Sequence, residues 1–496
     1  MKRLSKNICF FYKTQSHKIS FVIFLTILSL NQSFAQSSYN STRQTLGGLL
    51  CDKEIVCDYL ERYVVTYSHN NSSLIRHYFT IQDMTTNTTK RIPLNIGYDP
   101  ITPTTYFTRF EINDMKVGVN GLCYFCGTRI NKNNTSTKPD SNGFIGRFSI
   151  ADAMGSGGNF DILIIPETNT LTRIEPRGNY QQIFAIGLAD VVSFATNTKI
   201  TYLVGLEQNL QTLNWYYDIV EPVDPFEQFT DVAHSAGIIV SSKYHNNNYT
   251  IGIRHTKNGP LSDNTNLSLL QNCNKYDMQY TTLPSSGVAV AYRKNYDPIL
   301  LSSIGGDVTM AHSCNSSSKG IAAYLLYVAN LGDARISKIR YASSSNYLSL
   351  INTCSYFLNS RAYFLTKDAT SHVDRLSWTN WSATGSSFPF SETLFNSSDM
   401  TCQGMARYYK TTEYFYIGGY NSSNTPKYYA RNLSPAGLIL LSCFPSSTSN
   451  SIYPLSVPSF TSGSGVSKVK TLKPVYTLFN PSFTPATVTP TPECNY

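Results

Sequence analysis

The chain has 496 residues, of which 14% are charged and 13% aromatic, and a formal net charge of +9. So few charges cannot supply the Ala/Glu/Lys/Leu-rich surface of an ordinary helical protein. The basic side chains are scattered along the chain, which argues against a nucleic-acid partner.

The first segment reads as an export leader. Lys2, Arg3, Lys6, Lys13 and Lys18 precede an apolar run from Phe21 to Leu30. Ser33 and Ala35 fit the −3 and −1 positions of a signal-peptidase site, which places cleavage after Ala35. The run is too short to span a bilayer, which takes about 20 apolar residues. The expected location is secreted, periplasmic or at the cell surface. Removing the five basic residues of the leader leaves 35 basic against 31 acidic side chains, a net charge of +4. No later segment is long and apolar enough for a transmembrane helix.

Ten cysteines remain after cleavage, at 51, 57, 123, 126, 273, 314, 354, 402, 443 and 494. An even number in an exported chain permits up to five disulfides, and we expect at least two. Cys51 and Cys57 are spaced to close a short loop, and Cys494 to staple the Pro/Thr-rich tail. Buried thiols acting as small apolar side chains are the alternative.

Strand-like runs then follow in succession. They are 62–68, 76–82, 90–93, 122–129, 144–150, 200–205, 215–220, 237–242, 249–254, 287–293, 321–329, 362–366, 405–409 and 412–418. Asn, Ser and Gly separate most of them, and 131–159 reads as a turn-rich insertion. Many short strands between regular turn signals predict an all-β fold. Asp followed by Met or Val recurs at 83, 114, 190, 231, 277, 307 and 399, with Ala-His-Ser after two copies. The longer spacings suggest a repeat in the low-to-middle forties, the size of one four-stranded propeller blade. The prediction is a β-propeller of seven blades, with six or eight as alternatives. The expected division is a signal peptide over 1–35, a lead-in over 36–59, the propeller over 60–445 and a C-terminal segment over 446–496 that helps close the ring.

In this architecture the chain resembles β-propeller repeat proteins of the WD-repeat and kelch type. It lacks the Gly-His and Trp-Asp signatures of WD-repeat blades and a Gly-Gly pair in every repeat. The leader, the Asn/Tyr richness and the ending resemble exported proteins of Bacteroidetes-type bacteria.

Candidate binding residues are Trp215, Tyr216, Tyr217, Trp378 and Trp381, aromatic faces in polar surroundings suited to sugar rings or peptide surfaces. His234 and His312 fall in the two Ala-His-Ser segments and would share a repeat position. The competing reading is that these side chains only fill space between blades. Cys123 and Cys126 have redox spacing but lie in a strand, where residues three apart face opposite ways, so a catalytic dithiol is not expected. No second Cys or His pair stands at zinc spacing, so no metal site is expected. Gly155 to Gly158 forms a turn without the Lys-Ser/Thr of a phosphate loop, and no cofactor is expected. The expected function is an exported, non-catalytic binding or scaffold protein with a protein or glycan partner. The alternative is an exported carbohydrate-active enzyme using carboxylates such as Glu175, Glu221, Asp224 and Glu227 at the ring mouth.

Overall fold

The computed structural model describes the strands between Ser41 and Asn495 that are used below, with some joining turns. It describes side chains mainly within 62–94, 108–187 and 480–489. The expected leader and its expected cleavage site lie outside the described residues, as does the strand expected over 287–293.

The described chain is almost entirely antiparallel β-structure. Its strands form seven sheets of four or five strands and one two-stranded pair. The first three or four strands of each larger sheet form a meander in chain order, and successive sheets follow one another along the sequence. Their first strands are Cys51–Cys57, Thr108–Val117, Thr170–Arg177, Glu227–Ala233, Ile299–Ile304, Leu348–Tyr356 and Thr401–Tyr409. Each first strand packs beside the first strand of the next sheet, and the last packs against Cys51–Cys57. This is β-propeller architecture: sheets set around a ring, inner strands toward the middle.

The sheets stack because their sequences are apolar on both faces. In the second sheet Cys123, Phe125, Phe144, Phe148, Ile162 and Ile164 join one buried cluster, shared with Val65, Tyr67, Phe79 and Ile81 of the first sheet. The intervening Tyr124, Cys126, Ile145, Leu163 and Ile165 join another, shared with Leu171, Ile174, Ile183 and Ala185 of the third. Period-two alternation thus loads both faces, and only flanking sheets can cover both. Phe79, Phe125, Phe148 and Phe160 meet in the first interface, with ring centroids 4.9 to 6.4 Å apart. Gly146 leaves room there, since a Cβ on it would lie 2.2 Å from the Phe125 ring.

Both chain ends enter the sheets. Ser41–Thr45 completes the last sheet, pairing with Pro426–Asn432. The stretch expected as a lead-in over 36–59 therefore holds that strand and the first strand of the first sheet. After the last sheet, the chain adds outer strands to five sheets in reverse order. Phe460–Ser464 joins the fourth, Lys468–Leu472 the third, Leu478–Phe479 the second and Ala486–Thr487 the first. Thr491–Asn495 then pairs with Ser41–Thr45 in the last.

Three expectations about the repeat are corrected. The Asp-Met/Val markers do not mark one position of a repeat. Asp83 ends the third strand of its sheet, Asp190 lies in a second strand and Asp277 in a fourth. Equivalent strands instead recur roughly every sixty residues, longer than the expected period because the four-stranded unit holds strands of up to 12 residues and the loops between them. The two Ala-His-Ser segments are not equivalent either. Ala233 ends a first strand, whereas His312 lies inside the second strand Asp307–Asn315. Within the expected 131–159 insertion, a strand over Asp140–Ser149 runs into a short helix, Ile150–Met154, capped by Ser149 Oγ accepting from Asp152 N at 3.2 Å.

Candidate functional site

The seven first strands share a device that no sequence motif announces. Each contains a β-bulge against the second strand of its sheet: between Asp52 and Glu54, Ile112 and Asp114, Leu171 and Arg173, Phe229 and Asp231, Leu300 and Ser303, Leu350 and Asn352, and Cys402 and Gly404. An extra residue bends the strand and re-aims its side chains. The partner before each bulge is small in six of the seven sheets: Ser68, Gly127, Gly187, Ser241, Thr366 and Gly419. The exception is Met310, where the skip is wider.

Side chains show what the bulge does in the second sheet. Asn113, the extra residue, reaches the first strand of the third sheet. Its Nδ2 donates to Thr170 Oγ1 at 3.0 Å and to the Leu171 carbonyl at 2.8 Å. Thr128 and Thr170 join their hydroxyls beside it. Asp114, 5% exposed, accepts from its neighbour Met115 N at 3.0 Å and, across the interface, from Ile174 N at 2.9 Å. A carboxylate holding two buried N–H groups is a latch between sheets. Asp231 stands at the corresponding position of the fourth sheet.

Other buried polar groups are engaged in similar ways. Asp161 and Arg147 face each other on adjacent strands and pair at 2.9 Å. Tyr124 stands on the far side of Arg147, and Asn120 Nδ2 donates to its hydroxyl at 2.9 Å. Burial pushes the Tyr124 phenol up, partly opposed by Asn120 and Arg147. Asp83 turns the chain by accepting from Thr85 N at 2.9 Å, while Arg62 grips it through two bonds of 3.1 and 2.6 Å. Burial alone would raise the Asp83 carboxyl, but Arg62 and the Thr85 and Thr86 donors together hold it well below the usual carboxylate range. His77 Nδ1 and the Tyr67 hydroxyl lie 2.5 Å apart.

Cys123 and Cys126 form no disulfide and are fully buried, and they fall in the two different clusters, on opposite faces of the sheet. Desolvation pushes the Cys123 thiol far above its ordinary value. The expected Cys51–Cys57 bridge is overturned by the backbone. These residues open and close one continuous strand and stand about 20 Å apart, whereas a disulfide needs Cα atoms within about 7 Å. No group of three His, Cys, Asp or Glu side chains among the described residues is arranged to hold a metal.

Of the aromatic and histidine candidates, Trp215, Tyr216, Trp381 and His234 lie outside the described residues. Tyr217 opens the fourth strand of the third sheet, opposite Leu472. Trp378 lies in the third strand of the sixth, between Tyr363 and Phe390. His312 faces Ala322 in the fifth. The topology thus distributes these three over three sheets. Among the carboxylates considered, Glu175 lies in a first strand, Glu221 pairs in register with Lys468 and Glu227 with Lys243, while Asp224 lies outside the described residues.

One seat was missed by sequence reading. Phe483 enters the interface between the first and second sheets, 5% exposed, with its ring 4.7 Å from Phe160 and 6.3 Å from Phe148. The Gly-rich turn receives it: Gly157 has φ +126°, and a Cβ there would lie 2.5 Å from the Phe483 carbonyl oxygen. The available signal was Phe483 set between Pro481 and Pro485 in an otherwise polar stretch.

No family model matches the chain, and no curated protein matches it. Among solved structures, the β-propeller domain of the Trilobed protease from Pyrococcus furiosus, of open velcro topology, is similar at 7% identity. The match covers 77% of this chain and 96% of that one, with a TM-score of 0.37.

Proposed function

We propose that this chain is an exported, seven-bladed β-propeller that acts as a non-catalytic binding or scaffold protein for a protein or glycan partner. The observation that carries the reading is the employment of the buried acids. Asp83, Asp114 and Asp161 are each bound to structural donors within the ring. In the first two sheets these acids are spent on holding turns, strands and the next sheet in place, so this reading assigns recognition to the loops and strand ends that the ring presents. The blade count is supported by seven first strands that share one bulge and pack in succession. Export is supported by the basic and apolar segments that end at Ala35. Trp215, Tyr216, Tyr217, Trp378 and Trp381, with His234 and His312, remain the contact residues this reading puts forward.

The test begins with N-terminal sequencing of the exported protein, which should start at Gln36. Glycan arrays and cross-linked pull-down from the cell surface should then yield a partner. Trp378→Ala and Trp215→Ala variants should lose that partner without a drop in Tm. Turnover of an oligosaccharide by the purified protein, abolished by a single carboxylate substitution, would overturn the reading in favour of the carbohydrate-active enzyme.

A further inference from the structure

Residues 478–489 sit on the ring as a peptide sits on a receptor. Their main chain makes short antiparallel ladders: Leu478–Phe479 with Ile162 and Leu163, Ser482–Phe483 with Gly158 and Asn159, and Ala486–Thr487 with Lys90 and Arg91. Phe160 N donates to the Pro481 carbonyl at 2.9 Å, and Val488 N to the Thr89 carbonyl at 3.0 Å. Lys90 Nζ donates to Thr487 Oγ1 at 3.0 Å. One aromatic anchor, Phe483, fills the pocket of Phe148 and Phe160. Main-chain pairing for affinity with a side-chain pocket for selectivity is the logic of strand addition. Pro481 and Pro485 have no N–H to give, so the ladder is broken into two-residue pieces and the segment is read mainly at its centre.

The placement of these strands matters as much as their contacts. Leu478–Phe479 and Ala486–Thr487 each occupy the end of their sheet's order. Leaving would break one ladder in each sheet and the Ser482–Phe483 pair with Gly158 and Asn159, and where the chain end leaves with the segment it also frees Thr491–Asn495 from Ser41–Thr45. It would expose the edges Asp161–Ile165 and Thr88–Leu94 together with the Phe483 pocket. An exposed edge is a template for another chain, and the chain whose sequence already fits this one is its own copy.

We propose that the cleft between the first and second sheets is a peptide-recognition site for an extended Pro-x-Phe-x-Pro segment, and that it takes residues 478–489 of a second copy of this chain by strand exchange. The site is independent of whatever the loop faces bind. Its test uses wild-type protein carrying two different affinity tags, mixed and incubated, then purified through one tag and probed for the other. Mixed species should form. A tenfold molar excess of synthetic peptide 478–489 should suppress them by at least fivefold, and the same peptide with Phe483→Ala should not. In parallel, the labelled peptide should bind the full-length Phe483→Ala protein at least tenfold more tightly than the Ala peptide does. Absence of mixed species, or suppression by both peptides alike, overturns the proposal, and the exchange arm decides it even where the Phe483→Ala protein does not fold.

Discussion

Replacing Gly127 by alanine isolates the inner bulge. Gly127 faces the bulge of Thr108–Val117, and a Cβ built on it lies 1.8 Å from the Glu111 carbonyl oxygen, 2.8 Å from its carbon and 3.0 Å from the Ile112 Cα. All three atoms are backbone, so no rotamer change relieves the contact. The two strands must part by about 1 Å, an overpacking cost of roughly 1–3 kcal/mol. Parting them also strains the adjacent Asn113 and Asp114 bonds to the third sheet, each worth about 1 kcal/mol. Gly127→Ala should therefore cost about 3–5 kcal/mol. Gly121 supplies the control. Its φ is +73°, and a Cβ there meets nothing within 4 Å. Gly121→Ala should cost only the left-handed strain, about 1–2 kcal/mol. Urea denaturation followed by tryptophan and tyrosine fluorescence gives both values from the midpoint and slope. A Gly127→Ala protein within 1 kcal/mol of wild type, or less damaged than Gly121→Ala, would refute the reasoning.

The remaining predictions use the same measurement or a simple companion. Asp114→Ala leaves the buried N–H groups of Met115 and Ile174 without their acceptor and should cost about 2–4 kcal/mol, with Asp114→Asn nearly as damaging because its amide turns a donor toward an N–H. Asp83 titrates below its ordinary value of 3.8 in the folded protein, so its contribution is complete above that pH and is lost as pH falls below it. The acid limb of a stability–pH curve should accordingly be shallower in Asp83→Asn than in wild type, and identical limbs would contradict the Arg62–Asp83 pairing. Cys123 and Cys126 are buried, and Cys123 is held as a thiol. Neither should react with iodoacetamide at pH 8 until urea unfolds the chain, as peptide mass mapping would report.

Central strands were legible because their chemistry is simple. Leu122–Asn131 and Asp140–Ser149 pack on both sides, so they are rich in aromatic and β-branched residues and the sequence marks them within a few positions. The first strands were mostly passed over. Thr108–Val117 (TRFEINDMKV) and Thr170–Arg177 (TLTRIEPR) carry charges, and their bulge breaks the period-two pattern by which strands are recognised. The same bulge makes the latch, so the feature that hid these strands is the one that joins the sheets. Among the candidate site residues, the aromatics were legible as residue types. Their distribution over separate sheets was not, because it depends on which strands neighbour one another.

What the sequence by itself determined is local: an all-β chain, two-sided burial of the central strands, and Cys123 and Cys126 on opposite faces. What only the tertiary structure decided is who covers whom. Alternation states that both faces are apolar, but not which sheet lies against each. Short polar runs such as Ser41–Thr45 and Ala486–Thr487 have no face of their own to bury, and their strand character comes from an edge already formed by distant residues. Phe483 reads as an isolated aromatic until Gly157, Phe148 and Phe160 are brought around it from more than three hundred positions away.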